Sequence, residues 1–255
     1  MERKFKLSLF LLGILLVLPT DSSAQIYRFR SGLHLSHEHQ FTKKERRSIE
    51  QRLRTTTGFV DLNFAEDGRL NLGSRTFVDG SASARKLIES VVDSKDSFTL
   101  ESSPNSASIA FAHIEATLDY FDEHGVKHQA WHIRLDLTDF AKLRGSEKTL
   151  ESFSPVMVHF HELGHGQFKL RDPVDALDLV GECERYVNEI RKEMGLPLRE
   201  SYVPKSRQPL TASTEEAELR FATELLRFDL GSVCSTCRMD KVNSEFAETW
   251  LAKQN

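Results

Sequence analysis

Ser154-Pro155 opens the segment of this 255-residue chain that leaves folding the least choice. A serine can accept hydrogen bonds from the free amides of a helix's first turn, and a proline suits the next position because its fixed φ is already helical. The helix then reads Val156-Met157-Val158-His159-Phe160-His161-Glu162-Leu163-Gly164-His165. His161 and His165 are four residues apart, so both imidazoles leave one face of the helix, one turn from each other. Glu162 stands about 100° around the helix from His161. His159 faces away from the pair and is expected to be a packed or solvated histidine.

Elsewhere the pattern is mixed. Thr42 is placed to cap a helix running to about Arg54, and Phe59 to Phe64 alternates as a short strand before the turn Glu66-Asp67-Gly68. Ser81 to Val92 puts Ala84, Leu87, Ile88 and Val91 on one helical face. Ser97 to Leu100 reads as a strand, Ile109 to Phe121 fits strand or helix, and His128 to Leu137 alternates as a half-buried strand. Downstream, Glu182 to Met194, Ser213 to Arg227 and Val242 to Leu251 have helical spacing. Lys169 to Leu179, with Asp172, Pro173, Asp175 and Asp178, reads as a connection. The expected fold class is α+β: one domain over 25–255, with a β-containing lobe over about 25–150 packed on a helical lobe over about 151–255.

The first residues obey other rules. Arg3, Lys4 and Lys6 precede an apolar run from Leu7 to Leu18, then Pro19 and a polar stretch ending Ser22-Ser23-Ala24. This reads as a secretory signal peptide over 1–24, too short in its apolar part to span a bilayer, and it implies a secreted or periplasmic protein with no membrane association after cleavage. A formal net charge of -4 excludes the basic surplus of a duplex nucleic-acid binder. Cys234 and Cys237 form a C-x-x-C that an oxidising compartment would let close, while Cys183 belongs to the helical stripe Cys183, Val187, Ile190, Met194 and is expected to be a buried thiol.

Two histidines one turn apart are the spacing that lets one helix hold a zinc ion (Zn2+), with Glu162 beside it as general base toward an activated water. The third ligand must come from elsewhere. The positions that would continue the motif with glycine and histidine are Phe168 and Arg171, which excludes the metzincin pattern. A glutamate on the next helix is the other common solution, and Glu182 and Glu184 both qualify. Glu184 is preferred, because Asn188 one turn on is placed to orient a ligand histidine. Tyr202 and Arg199 follow Gly195 and are candidate catalytic donors to an oxyanion. The strand Trp131 to Leu137 is a candidate edge for an extended peptide. His34, His37 and His39 are a candidate second metal cluster.

His161-Glu162-Leu163-Gly164-His165, followed about nineteen residues later by Glu184-x-x-x-Asn188, resembles the gluzincin zinc metallopeptidases. Cys183-Glu184-x-Tyr186-Val187-Asn188-x-Ile190-Arg191 with Gly195-Leu196-Pro197-x-Arg199-x-x-Tyr202 is similar to bacterial effector and polymorphic-toxin metallopeptidase domains. Gly80-Ser81-x-x-Ala84-Arg85 and the strand Ile133 to Asp139 also look like that group, the similar stretches running over about 60–225. The resemblance implies a zincin-like fold, His161, His165 and Glu184 as zinc ligands, Glu162 as general base, and a protein or peptide substrate. It departs at Gly166, where alanine is common, and in the signal peptide, since such toxin domains ride on larger delivery proteins. Two other classes use the same residues: an exported binding or inhibitory protein braced by zinc, and a zinc hydrolase acting on another substrate.

Overall fold

The computed structural model of the protein describes residues 30–174, 177–207, 216–222 and 224–233. The signal-peptide segment 1–24, Cys234, Cys237 and the expected helix Val242 to Leu251 lie outside the described residues. In chain order the elements are β1 (Gly32–Leu35), α1 (Lys43–Thr57), β2 (Asn63–Phe64), β3 (Leu70–Asn71), α2 (Ala82–Val92), β4 (Ser97–Ser102), β5 (Ala112–Phe121) and β6 (Lys127–Leu135). They continue with α3 (Leu137–Phe140), α4 (Glu147–Ser152), α5 (Pro155–Phe168), α6 (Gly181–Glu193), β7 (Lys205–Arg207), β8 (Glu216–Phe221), β9 (Glu224–Asp229) and α7 (Leu230–Val233).

Local chemistry explains most of these boundaries. Thr42 Oγ1 accepts from the Glu45 amide at 3.2 Å while Glu45 Oε2 accepts from the Thr42 amide at 2.8 Å, a reciprocal cap that starts α1. Gly58 at φ +81° ends it, where a β-carbon would stand 2.4 Å from the Asp79 carbonyl oxygen. Ser81 caps α2 through the Ala84 amide at 3.0 Å. β6 stops at Leu135 because Asp136 turns to cap α3, its Oδ1 accepting from the Thr138 amide at 3.0 Å. Ser154 precedes Pro155 as expected, but its side chain makes no capping bond.

The main sheet has the order β1-β4-β6-β5, with β1, β4 and β6 parallel and β5 antiparallel along one edge. The register aligns Leu35, Leu100, Ile133 and Ile114 across all four strands. That face meets α2 and α5 in one hydrophobic core, joined by Val187 and Ile190 of α6. A second core gathers Phe111, Phe153, Val158, Phe221, Leu226 and Phe228. Helix α5 lies between the two, with every residue from Val156 to Gly164 buried.

Two expectations change. Ser213 to Arg227 is not a helix over its described part: β8 and β9 form an antiparallel pair there, extended by β7, so the C-terminal half is not purely helical. Glu, Ala and Leu in that stretch favour helix by propensity, but Ala217, Leu219 and Phe221 alternate inward, and burial at period two overrides propensity. The strand containing Trp131 to Leu135 is interior to the sheet, flanked by β4 and β5, so the edge falls to β5. The ambiguous stretch Ile109 to Phe121 is therefore strand from Ala112 on. No helix among the described residues is long and apolar enough to cross a membrane.

The seat of α5 on the sheet depends on Gly166, where a β-carbon would come 2.6 Å from Phe98 Cε1 and 3.0 Å from Ile114 Cδ1. Alanine at this position gains about 1 kcal/mol of helix propensity, but overpacking costs about 1–3 kcal/mol. Gly166→Ala should therefore lower stability by about 1 kcal/mol in chemical denaturation, where glycine in an exposed helix would show a gain.

Candidate metal centre

Helix α5 presents His161 and His165 on one face, with their Nε2 atoms 3.1 Å apart and their rings edge to face. Each imidazole is fixed by its other nitrogen. His165 Nδ1 donates to the Leu170 carbonyl at 2.8 Å, possible because Lys169 ends α5 in the left-handed conformation at φ 56° and turns the chain back. His161 Nδ1 faces Glu184 Oε2 at 3.3 Å, an ion-pair contact and not an aligned hydrogen bond. Both rings thereby direct Nε2 at one point.

The third donor at that point is one the sequence reading missed. Asp172 Oδ1 lies 3.1 Å from His161 Nε2 and 3.4 Å from His165 Nε2, and it is buried with no hydrogen-bond partner. A tetrahedral metal with bonds of about 2.0–2.1 Å spaces its donor atoms about 3.3–3.4 Å apart, so this triangle fits a small divalent cation. His161 is 8% exposed, His165 20% and Asp172 35%, so the triangle opens to solvent on the Asp172 side. Asp172 sits in the connection between α5 and α6, seven residues past His165, where no helical period points to it.

Cys183 is the other donor near the pair: His161, His165 and Cys183 form a possible metal-binding group, their ligand atoms all within 4.8 Å. The thiol is fully buried and its Sγ donates to the His161 carbonyl at 3.4 Å. Burial, and then the surrounding carboxylates, push its pKa up, which opposes the thiolate a metal needs. Cys183 is free, as expected of a core position.

Neither glutamate of α6 shares the donor point. Glu184 stands behind His161, on its Nδ1 side, where Arg191 Nη1 donates to Oε1 and Arg199 Nη1 donates to Oε2 at 2.9 Å. Burial opposes its charge, but the two guanidiniums prevail and hold it well below the usual carboxylate range. Glu182 accepts from the Arg171 amide at 3.0 Å and so fixes the backbone beside Asp172. Asn188 makes its hydrogen bonds to two arginines: its Oδ1 accepts from Arg191 Nη1 and the Arg199 amide, both at 2.9 Å.

Glu162 is buried on the same helix, and burial raises its pKa. Tyr202 stacks on His161 with ring centres 5.6 Å apart and 15° between planes, and burial, then the nearby carboxylates of Asp172 and Glu162, push its phenol up. Arg199 points at Glu184 and not into the opening. His159 is completely buried with both ring nitrogens unpartnered, and burial pushes it down to about 3, so it stays neutral. His37 and His39 are exposed while His34 Nε2 bonds Thr99 Oγ1 at 2.9 Å, so those three histidines do not converge.

Comparison with protein-family models, with curated proteins and with solved structures finds no match to this chain, so its own donors carry the reading of the site.

Burial disfavours a charge on His161, but Asp172 and Glu184 outweigh it and push the imidazole up to about 10. Without metal, a proton then sits on Nε2, where a cation would bind. Metal uptake at neutral pH must expel that proton. Calorimetry of zinc(II) binding at pH 7 in two buffers of different ionisation enthalpy should show at least about one proton released, with apparent affinity falling roughly tenfold per pH unit toward acid.

Proposed function

We propose that the chain is a zinc-dependent peptidase that acts outside the cytoplasm, with His161, His165 and Asp172 as ligands. The observation that carries this is the convergence of His161 Nε2 and His165 Nε2, from the helix that also holds buried Glu162, with Asp172 Oδ1 of the following connection, at 3.1–3.4 Å. Three protein donors with an open side are the ligand set of hydrolytic zinc sites, closed structural sites having four. When bound, zinc supplies Lewis acidity that polarises a substrate carbonyl and activates water.

The chain's own groups do the rest. Glu162, one residue after a ligand and raised by burial, takes a proton from the attacking water at its carboxylate and passes it to the leaving amine. Tyr202, whose ring is stacked on His161, is the neutral donor we assign to the developing oxyanion. Substrate backbone is proposed to add to the outer edge of β5 as an extended strand, since β5 packs against α5 and is an edge strand of the sheet among the described residues. A mixed sheet with an antiparallel edge beside the motif helix supports a zincin-like arrangement, and the 1–24 segment supports export. Asp172 takes the place that the gluzincin resemblance gives to Glu184, which becomes a bracing carboxylate.

Two substitutions test this. Glu162→Gln should keep one equivalent of zinc by elemental analysis and lose about 10²–10⁴-fold in kcat on a peptide library. Undiminished hydrolysis would refute the mechanism. Asp172→Ala should bind zinc on the order of 100-fold more weakly, because a first ligand is lost and not only an outer partner.

A further inference from the structure

We infer that Arg199 is a positioning residue that sets the His161 imidazole and the Tyr202 phenol together, coupling the C-terminal sheet to the metal centre. This rests on the reading of His161, His165 and Asp172 as metal ligands.

Glu184 is held by two arginines, and they differ in what else they hold. Arg191 reaches back, its Nε donating to the Ser152 carbonyl at 2.8 Å, just ahead of α5. Arg199 reaches forward, its Nε donating to the Ser201 carbonyl at 3.0 Å and its Nη2 to the Tyr202 carbonyl. The Arg199 guanidinium also lies 5.3 Å from the centre of the Tyr202 ring. Tyr202 in turn stacks on His161. One guanidinium therefore meets His161 by two routes: along the ring's Nδ1 edge through Glu184, and over its face through Tyr202.

Only arginine can do this. Its planar fork serves a carboxylate and two carbonyls in fixed directions, whereas a lysine ammonium is a single point of charge. Arg199 is itself anchored at its backbone. Its carbonyl accepts from Asn188 Nδ2 at 2.8 Å, and the residue bridges antiparallel to Phe221 of β8. The neighbouring amides of Glu200 and Ala222 complete that pairing, at 3.0 Å each to the carbonyls of Arg220 and Leu198. The β8 strand is thus tied to the same residue that holds both supports of His161.

A buried ion pair kept for stability alone predicts that Arg191 and Arg199 behave alike, since both are buried and both bind Glu184. The positioning role predicts a difference at the metal. The test compares wild type, Arg199→Lys and Arg191→Lys by zinc(II) affinity in chelator competition, by the visible spectrum of the cobalt(II)-substituted protein, and by kcat and KM. Arg199→Lys should still bind one equivalent of zinc, about 10–100-fold more weakly, with an altered cobalt spectrum and a fall in kcat larger than any rise in KM. Arg191→Lys should keep the wild-type spectrum. Long-range ¹⁵N NMR of the zinc-loaded wild type adds a readout that needs no variant to fold: His161 should keep its Nδ1 proton and bind through Nε2. Wild-type affinity and spectrum in Arg199→Lys overturns this inference alone, whereas zinc on Nδ1 of His161 overturns the donor set of the proposed site and this inference with it. A wild-type chain that takes up no metal overturns the peptidase reading and this inference with it.

Discussion

Helix α5 is buried on nearly every side, and much of the chain is arranged by what its faces require. Its apolar residues are divided between two cores, so neither core closes without it. Its polar residues impose a harder condition, because a buried polar group costs free energy unless a partner meets it. His165 is met by the Leu170 carbonyl, and His161 faces Glu184 of α6, which two arginines hold in turn. His159, which nothing meets, remains uncharged. The two glycines of the helix serve packing: Gly164 admits the Cys183 sulfur and Gly166 admits the Phe98 ring.

The same condition governs charge. Glu162, Asp172 and Glu184 bring three carboxylates to the centre, while Arg191 and Arg199 bring two guanidiniums. One negative charge is left over at low dielectric, where it is expensive. A proton on His161 answers it in the metal-free protein, and a divalent cation answers it with charge to spare. Electrostatic demand and donor geometry therefore point to the same place, although they arise from different residues.

The helical parts of this arrangement were legible in the sequence, and the loop and sheet parts much less so. His161, Glu162 and His165 follow from spacing alone, since the helix period fixes their relative directions. The buried side of α6 follows in the same way from Cys183, Val187 and Ile190. Asp172 did not, because a connection has no period and a seven-residue reach back to the helix leaves no local trace. Glu184 was singled out correctly as a residue near the site, yet spacing cannot say which nitrogen of His161 it faces. The β8–β9 pair was hidden by helix-forming residues whose alternation was the better signal. The interior place of β6 depends on strand order, which no single strand encodes.

Both imidazoles are already turned, and Asp172 is already held, with Glu182 on the Arg171 amide and Gly181 so close to Pro173 that a β-carbon there would stand 2.5 Å from its Cδ. Little of this scaffold is left for an ion to organise. In small zinc modules the metal is the core, and chelation unfolds them. Here the cores are hydrocarbon and the donors wait at their margin, so an ion would enter as a tenant of a finished fold.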